Sequence, residues 1–203
     1  AAEGINGTVA GSQEATEKYV QAMRENSLFS DVDFKDSVGQ STIFPRMQVT
    51  IKPRIVNGGA FDDADLAHTG VHLEPEEVHA LVSNKPKNLV ILDARNHYES
   101  RVGTFEGAIL PNTENFRDLP GYIDEHLQDF KDKQVLMFCT GGVRCERATA
   151  YLKEKGVAQE VYQIKGGIHR YAEKYPNGFF KGKNYVFDNR VALKVTDDVL
   201  TQC

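Results

Sequence analysis

The stretch Val135-Leu136-Met137-Phe138-Cys139-Thr140-Gly141-Gly142-Val143-Arg144-Cys145 decides how this chain is read. Four apolar residues in a row fit a strand buried on both faces, as in a parallel sheet. Two glycines then permit a tight turn into a helix that begins near Cys145 and stops at Gly156. Cys139 therefore stands at the carboxyl end of a buried strand, facing a helix N-terminus where backbone N–H groups converge on an anion. Such surroundings lower a thiol pKa from roughly 8.5 toward 3.5–7.5 and favour the thiolate. The competing reading is a buried structural cysteine, because unpaired Cys is among the most buried residue types. The Gly141-Gly142 pair and Arg144 tip the balance toward a reactive thiol.

The flanking pattern supports the strand assignment. Pro75 suits the first turn of a helix whose apolar face is Val78, Leu81 and Val82. Leu89–Leu92 reads as a buried strand leading into Asp93-Ala94-Arg95, and Gly107–Leu110 as a short second strand. Tyr122, Ile123 and Leu127 suit a helix. After the cysteine loop, Val161–Ile164 is a further strand, and Gly166-Gly167 opens a last helix through Tyr171. Strands alternating with helices over about 100 residues imply an α/β domain with a parallel sheet covered on both faces. Sites in such folds lie at the carboxyl ends of the strands, where Asp93, Arg95 and Cys139 all fall.

The chain before this region has a different character. Thr8-Val9-Ala10 is β-favouring, and Ser12 is a helix N-cap followed by Glu14 in the first turn. Ala15, Tyr19, Ala22 and Met23 share one face of a helix that ends near Asn26. Strand-like segments follow at Asp31–Ser37 and Phe44–Val56, the second broken by Pro45 and Pro53. One helix with antiparallel strands predicts a small α+β module over residues 1–56. Residues 57–73, acidic and glycine-rich, read as a linker. The α/β domain then covers 74–177, and 178–203 is a C-terminal tail. The start at Ala1 without an initiator methionine and the stop on Cys203 are read as cut ends.

Composition sets outer bounds. The chain is 40% apolar and 26% charged, ordinary values for a globular protein, with a formal charge of −5. No apolar run reaches the ~18 residues of a membrane span, and no stretch of this sequence reads as a signal peptide. Three cysteines make no disulfide framework, which suggests the cytoplasm. His68 and His72 stand four apart, but Gly70 and the lack of a neighbouring carboxylate motif argue against a metal site. No metal or cofactor is evident from the sequence.

Residues 74–176 resemble a rhodanese domain, in the strand ending Asp93-Ala94-Arg95, in Gly107-Ala108-Ile109, in the Cys139–Arg144 loop and in Val161–Tyr171. Rhodaneses carry sulfur as a persulfide on the loop cysteine. The resemblance implies Cys139 as nucleophile and the backbone amides of Thr140, Gly141, Gly142, Val143, Arg144 and Cys145 as an anion cradle. It gives Asp93 and Arg95 a supporting role, through polar contacts that fix the loop. Only four residues separate Cys139 from Arg144, where the related cysteine phosphatases have five, so a phosphate is a poor fit.

The resemblance extends further. The stretches EGINGTVAGS (Glu3–Ser12), CTGGVRCE (Cys139–Glu146) and GKNYVFDNR (Gly182–Arg190) occur in this order in the rhodanese-containing tRNA uridine hydroxylases, the UPF0176 or TrhO-like group, which includes related eukaryotic rhodanese-domain proteins. This implies an acylphosphatase/ferredoxin-like α+β domain, here truncated at its first strand, ahead of the rhodanese domain. It also implies a tail that continues past Cys203. The implied reaction is the dioxygen-dependent conversion of the wobble uridine of tRNA to 5-hydroxyuridine, with the anticodon region as partner. A plain sulfurtransferase carrying a persulfide on Cys139 is the first alternative, and a non-catalytic RNA-binding module the second.

Two readings stay open. From Tyr162 to Lys194 seven Lys and Arg stand against two acidic residues, with Tyr171, Tyr175, Phe179, Phe180, Tyr185 and Phe187 interleaved, which suits single-stranded RNA. Lys181, Lys183 and Arg190 are the candidate contacts. Equally, Tyr185 and Phe187 alternate as in a half-buried strand, and the lysines are then its solvated face. Cys145 shares a helical face with Ala148 and Leu152, which favours burial. Alternatively it is a resolving thiol that closes a disulfide with an oxidised or persulfidated Cys139.

Overall fold

The computed structural model describes residues 1–37, 39–187 and 191–197. Contacts divide it into two units, one built on Ala1–Ile55 and one beginning at Val56.

In the first unit the only regular element among the described residues is α1 (Gln13–Glu25), whose Ser12 side chain accepts the Ala15 N–H at 3.3 Å. The helix starts where its cap predicts and buries none of its residues. The strands expected at 8–10, 31–37 and 44–56 are not formed. Pro45 and Pro53 withhold ladder donors, and residues 45–54 are all exposed, with Met47, Val49 and Ile51 at 73–92%, so the middle of the segment has nothing to pack on.

The second unit follows in the order β1 (Val71–Leu73), α2 (Pro75–Asn84), β2 (Leu89–Asp93), α3 (His97–Ser100), β3 (Gly103–Phe105), α4 (Leu119–Glu125), α5 (Leu127–Phe130), β4 (Gln134–Phe138), α6 (Val143–Glu154), β5 (Glu160–Ile164), α7 (Gly167–Lys174), β6 (Phe180–Tyr185) and β7 (Ala192–Lys194). The main sheet is parallel throughout, in the order β1-β5-β4-β2. Alternation along β4 feeds two cores. Val135, Met137 and Cys139 pack with α4, α5 and α6, whereas Leu136 and Phe138 pack with α2, α7 and the β3–β6 ribbon. Both faces of the central strand are thus sealed, which is why it reads as an unbroken apolar run.

Three boundaries differ from the sequence reading. Residues 57–73 belong to the second unit and are no loose linker. Phe61 is fully buried against Phe116 and Tyr151, at ring-centroid distances of 4.9 and 5.0 Å, and β1 pairs with β5. One aromatic anchor and three strand residues outweigh a polar composition. Gly107–Leu110 is not a strand of the sheet, for only Ile109 bridges to Leu92. The true element is β3 just before it, antiparallel to β6 with Phe105 opposite Phe180. The region expected as a tail therefore supplies two strands, β6 and β7.

Candidate active site

Cys139 leaves β4 and enters a turn that only glycine accommodates at two points. Gly142 caps α6 at φ +95°, and Gly167 opens α7 at φ +65°. A Cβ on Gly167 would lie 2.5 Å from the Cys139 carbonyl and 2.7 Å from both the Gly142 nitrogen and the Thr140 carbonyl. The absence of a side chain there lets α7 pin the loop. Ile168 N–H donates to the Cys139 carbonyl at 3.0 Å, and His169 N–H to that of Thr140 at 3.2 Å.

The Cys139 sulfur is buried and encircled by donors. The Cys145 thiol donates to it, as do the backbone N–H groups of Cys145 and Arg144, and Gly142 N–H reaches it at 3.2 Å. The Cys145 hydrogen bond is the main cause that draws the Cys139 pKa from 9.0 down to about 6, with help from the Arg144 charge and the amides and against the cost of burial. Burial, then the same hydrogen bond, pushes the Cys145 thiol well above its ordinary value. Of the pair, Cys139 carries the charge and Cys145 keeps its proton.

Arg144 is itself held. Its guanidinium meets Glu99 in a bidentate pair at 2.6 and 2.7 Å, and Nη2 also reaches the Thr140 hydroxyl at 3.3 Å. That hydroxyl donates to Glu99 at 3.3 Å and closes a triangle. Glu99 is fully buried, and its carboxylate also accepts the Asn96 N–H at 3.1 Å. A buried carboxylate thus neutralises the arginine, fixes the loop and leaves the sulfur facing amides and a thiol.

Comparison with known proteins gives this geometry a family. A model described as the UPF0176 acylphosphatase-like domain matches residues 1–55, and the rhodanese-like domain matches residues 74–174. The tRNA uridine(34) hydroxylase of Legionella pneumophila (strain Paris) is 42% identical over 193 residues, which is 94% of this chain and 75% of that protein. The chain belongs to the tRNA uridine(34) hydroxylase family. Among solved structures, the rhodanese-like domain of an Anabaena protein is similar at 20% identity and TM-score 0.45, covering 55% of this chain and 78% of that one. A thiosulfate sulfurtransferase from Pseudomonas aeruginosa is similar at 27% identity and TM-score 0.40, covering 50% and 18%.

Within this member of the hydroxylase family, the expected site residues divide into two groups. Cys139, Gly142, Arg144 and Cys145 converge on the sulfur, and Thr140 joins through its hydroxyl. Gly141 and Val143 complete the turn between β4 and α6. Arg144 belongs to the cradle through its amide and its charge, while its guanidinium is committed to Glu99. Asp93 and Arg95 do not fix the loop. They form a fully buried bidentate pair at 2.9 and 2.7 Å. Arg95 donates onward to the Gly103 carbonyl, and Thr104 donates to Asp93 at 3.0 Å, so this pair anchors β3. The strand-end position is right, but the carboxylate that reaches the loop is that of Glu99.

Glu99 and Gly167 are the positions that sequence reasoning missed. Asn96 and Glu99 show the capping-box spacing, a signal that marks only the start of α3. Nothing local pairs Glu99 with an arginine 45 residues later.

Lys181 and Lys183 alternate with the inward-facing Phe180, Gly182 and Asn184 on β6, so both stand on its outer side together with Tyr185. Tyr185 meets the half-exposed Tyr98 edge to face at 5.3 Å. The two lysines and Tyr185 thus share one side of β6, an arrangement common to both readings. Lys165, Arg170, Lys174, Lys181 and Lys194 all have carboxylate neighbours within 4.0 Å, whereas Lys183 has no ion-pair partner among the described residues. Arg190 lies outside the described residues.

His68 and His72 turn to separate carboxylates, Asp65 at 2.8 Å and Glu146 at 2.7 Å. No group of three His, Cys, Asp or Glu among the described residues is placed to hold a metal ion. No helix among them is long and apolar enough to cross a membrane.

Proposed function

We propose that this chain hydroxylates the wobble uridine of tRNA to 5-hydroxyuridine, with Cys139 as nucleophile and dioxygen as co-substrate. The observation that carries the reading is 42% identity over 94% of the chain to a protein named for uridine(34). The thiolate-favouring loop supplies the chemistry that reaction needs. A thiolate adds to C6 of uracil, a conjugated acceptor, and the displaced electron density collects at C5. An electron-rich C5 then meets dioxygen, and later loss of the C5 proton expels Cys139. The amides around the sulfur stabilise it before attack and again as it leaves.

The substrate end is proposed on electrostatic grounds. Lys181 and Lys183 on the outer side of β6 suit the phosphates of an anticodon loop, with Arg190 proposed beside them from the sequence alone, and the neighbouring tyrosines suit its unstacked bases. A cytoplasmic location goes with this reading.

Intact-mass analysis with anticodon RNA carrying 5-fluorouridine tests the covalent step, because fluorine at C5 blocks the final elimination. A Cys139-dependent adduct is expected. Turnover of ordinary tRNA without any adduct would sink the covalent route. Nucleoside mass spectrometry of tRNA from cells with and without the gene tests the reaction itself. The contact from Gly142 N–H to the Cys139 sulfur at 3.2 Å also favours a second reading, persulfide transfer from thiosulfate. Strong cyanide-to-thiocyanate turnover with no change in tRNA would select it.

A further inference from the structure

Cys145 is the group that the mechanism above leaves idle. It is fully buried in the first turn of α6, reduced, and in hydrogen-bond contact with the nucleophile's own sulfur. Packing alone does not require a thiol at that point, since alanine would fill a small apolar site as well. Hydroxylation by dioxygen, meanwhile, incorporates one oxygen atom and leaves a second to be reduced by two electrons. A pair of touching thiols holds two.

We propose that Cys145 is a catalytic residue of the hydroxylation, reducing the second oxygen atom and leaving a Cys139–Cys145 disulfide at the end of each turnover. The inference rests on the functional reading given above. Addition of the Cys139 thiolate to C6 followed by capture of dioxygen at C5 gives, after protonation, a C5 hydroperoxide. The Cys145 sulfur takes the distal oxygen. The O–O bond breaks, the base keeps a C5 hydroxyl, and Cys145 becomes a sulfenic acid, oxidised by two electrons. Loss of the C5 proton then expels Cys139 as a thiolate. Cys139 attacks the sulfenic sulfur, an S–S bond forms and hydroxide leaves, to be protonated to water. The sum is uridine, dioxygen and two thiols giving 5-hydroxyuridine, water and one disulfide. A dithiol reductant resets the pair by thiol–disulfide exchange.

The geometry suits each step. The hydroperoxide forms one ring atom away from the carbon bonded to Cys139, beside the sulfur that touches Cys145. While Cys139 is a free thiolate its charge and hydrogen bond hold the proton on Cys145. Once Cys139 becomes a thioether both of these influences fall away, while burial and Glu146 still favour the neutral thiol and Arg144 opposes them, so the hold on the Cys145 proton weakens only after the base has been captured.

The test is a single-turnover reaction of the pre-reduced full chain with a tRNA transcript carrying uridine at position 34, in air and without added thiol. The expected yield is one equivalent of 5-hydroxyuridine per chain. Peptide mapping should show a Cys139–Cys145 cross-link two mass units lighter than the thiols, with no hydrogen peroxide released. Added dithiol should restore turnover. Cys145→Ser keeps a hydrogen-bond donor to Cys139 and so separates redox from positioning. It is expected to lose multiple turnover at least about tenfold and to release peroxide instead. Equal yields of 5-hydroxyuridine and peroxide from wild-type protein with both thiols intact would overturn the proposal. So would a Cys145→Ser variant with full dithiol-dependent turnover. Failure of wild-type protein to form any 5-hydroxyuridine would instead overturn the functional reading, and this inference with it.

Discussion

Arg95 and Arg144 are both buried guanidiniums gripped by a carboxylate in two parallel hydrogen bonds, and they serve different neighbours at the same carboxyl end of the sheet. Arg95 finds Asp93 two residues away, lies over the Phe138 and Phe180 rings at 5.5 and 5.7 Å, and ties β2 to β3. Arg144 finds Glu99 across the domain and ties the cysteine loop to α3. One pair holds the scaffold and the other holds the Cys139 loop. Equal hydrogen bonding therefore does not mean equal function; what separates the pairs is which backbone each side chain immobilises.

Removing one arginine at a time tests this contrast most strongly. Arg95→Met and Arg144→Met each strand a buried carboxylate, and each should lower unfolding free energy by about 3–5 kcal/mol in a denaturant titration. They should differ at the thiol. The pH midpoint of Cys139 alkylation is expected near 6 in the wild type and in Arg95→Met, and above it in Arg144→Met, which loses the nearby positive charge. If both variants leave that midpoint unchanged, Arg144 has no part in setting the thiolate.

The same titration makes a stability prediction with a definite sign. The Cys139 pKa is depressed in the folded protein, so between about pH 6 and 9 the unfolded chain binds the extra proton. Stability should rise across that window and lose this contribution as pH falls through 6. Cys139→Ser should flatten the slope.

Two glycines sharpen the comparison at a smaller scale. Gly167→Ala pushes a methyl into the Cys139 and Thr140 carbonyls, whereas Gly103→Ala pushes one into the Lys183 backbone at 2.2 Å. Each should cost about 1–3 kcal/mol by overpacking. Only Gly167→Ala is expected to slow Cys139 alkylation, because only it moves the loop. The smallest effect belongs to the surface. Lys183→Ala should change stability by less than about 0.5 kcal/mol. It should also weaken tRNA binding, with the salt dependence of log K reduced by roughly one phosphate contact. An unchanged salt slope would remove Lys183 from the RNA face.

Much of this was legible in the residues themselves. The run Val135–Phe138 announced a two-faced strand because burial on both sides demands continuous apolarity. Gly141-Gly142 and the helix after them marked where N–H groups gather round the Cys139 sulfur, because N–H groups at a helix start have no intrahelical partners. Ser12 marked the start of α1 for the same reason. These signals are local, set by how one residue meets its immediate backbone.

Position alone also put Asp93 and Arg95 at the strand ends. It could not say that they face β3 rather than the loop. That choice, the Glu99–Arg144 clamp, the seat of Gly167 beneath the cysteine turn and the recruitment of Phe180–Tyr185 and Ala192–Lys194 into a sheet were decided by tertiary structure. Each joins segments far apart in sequence, and the energy that selects the partner comes from burial and charge neutralisation that exist only once the sheet has closed. The sequence by itself determined that Cys139 would be a strand-end thiol in a glycine turn; the fold decided which neighbours hold it charged.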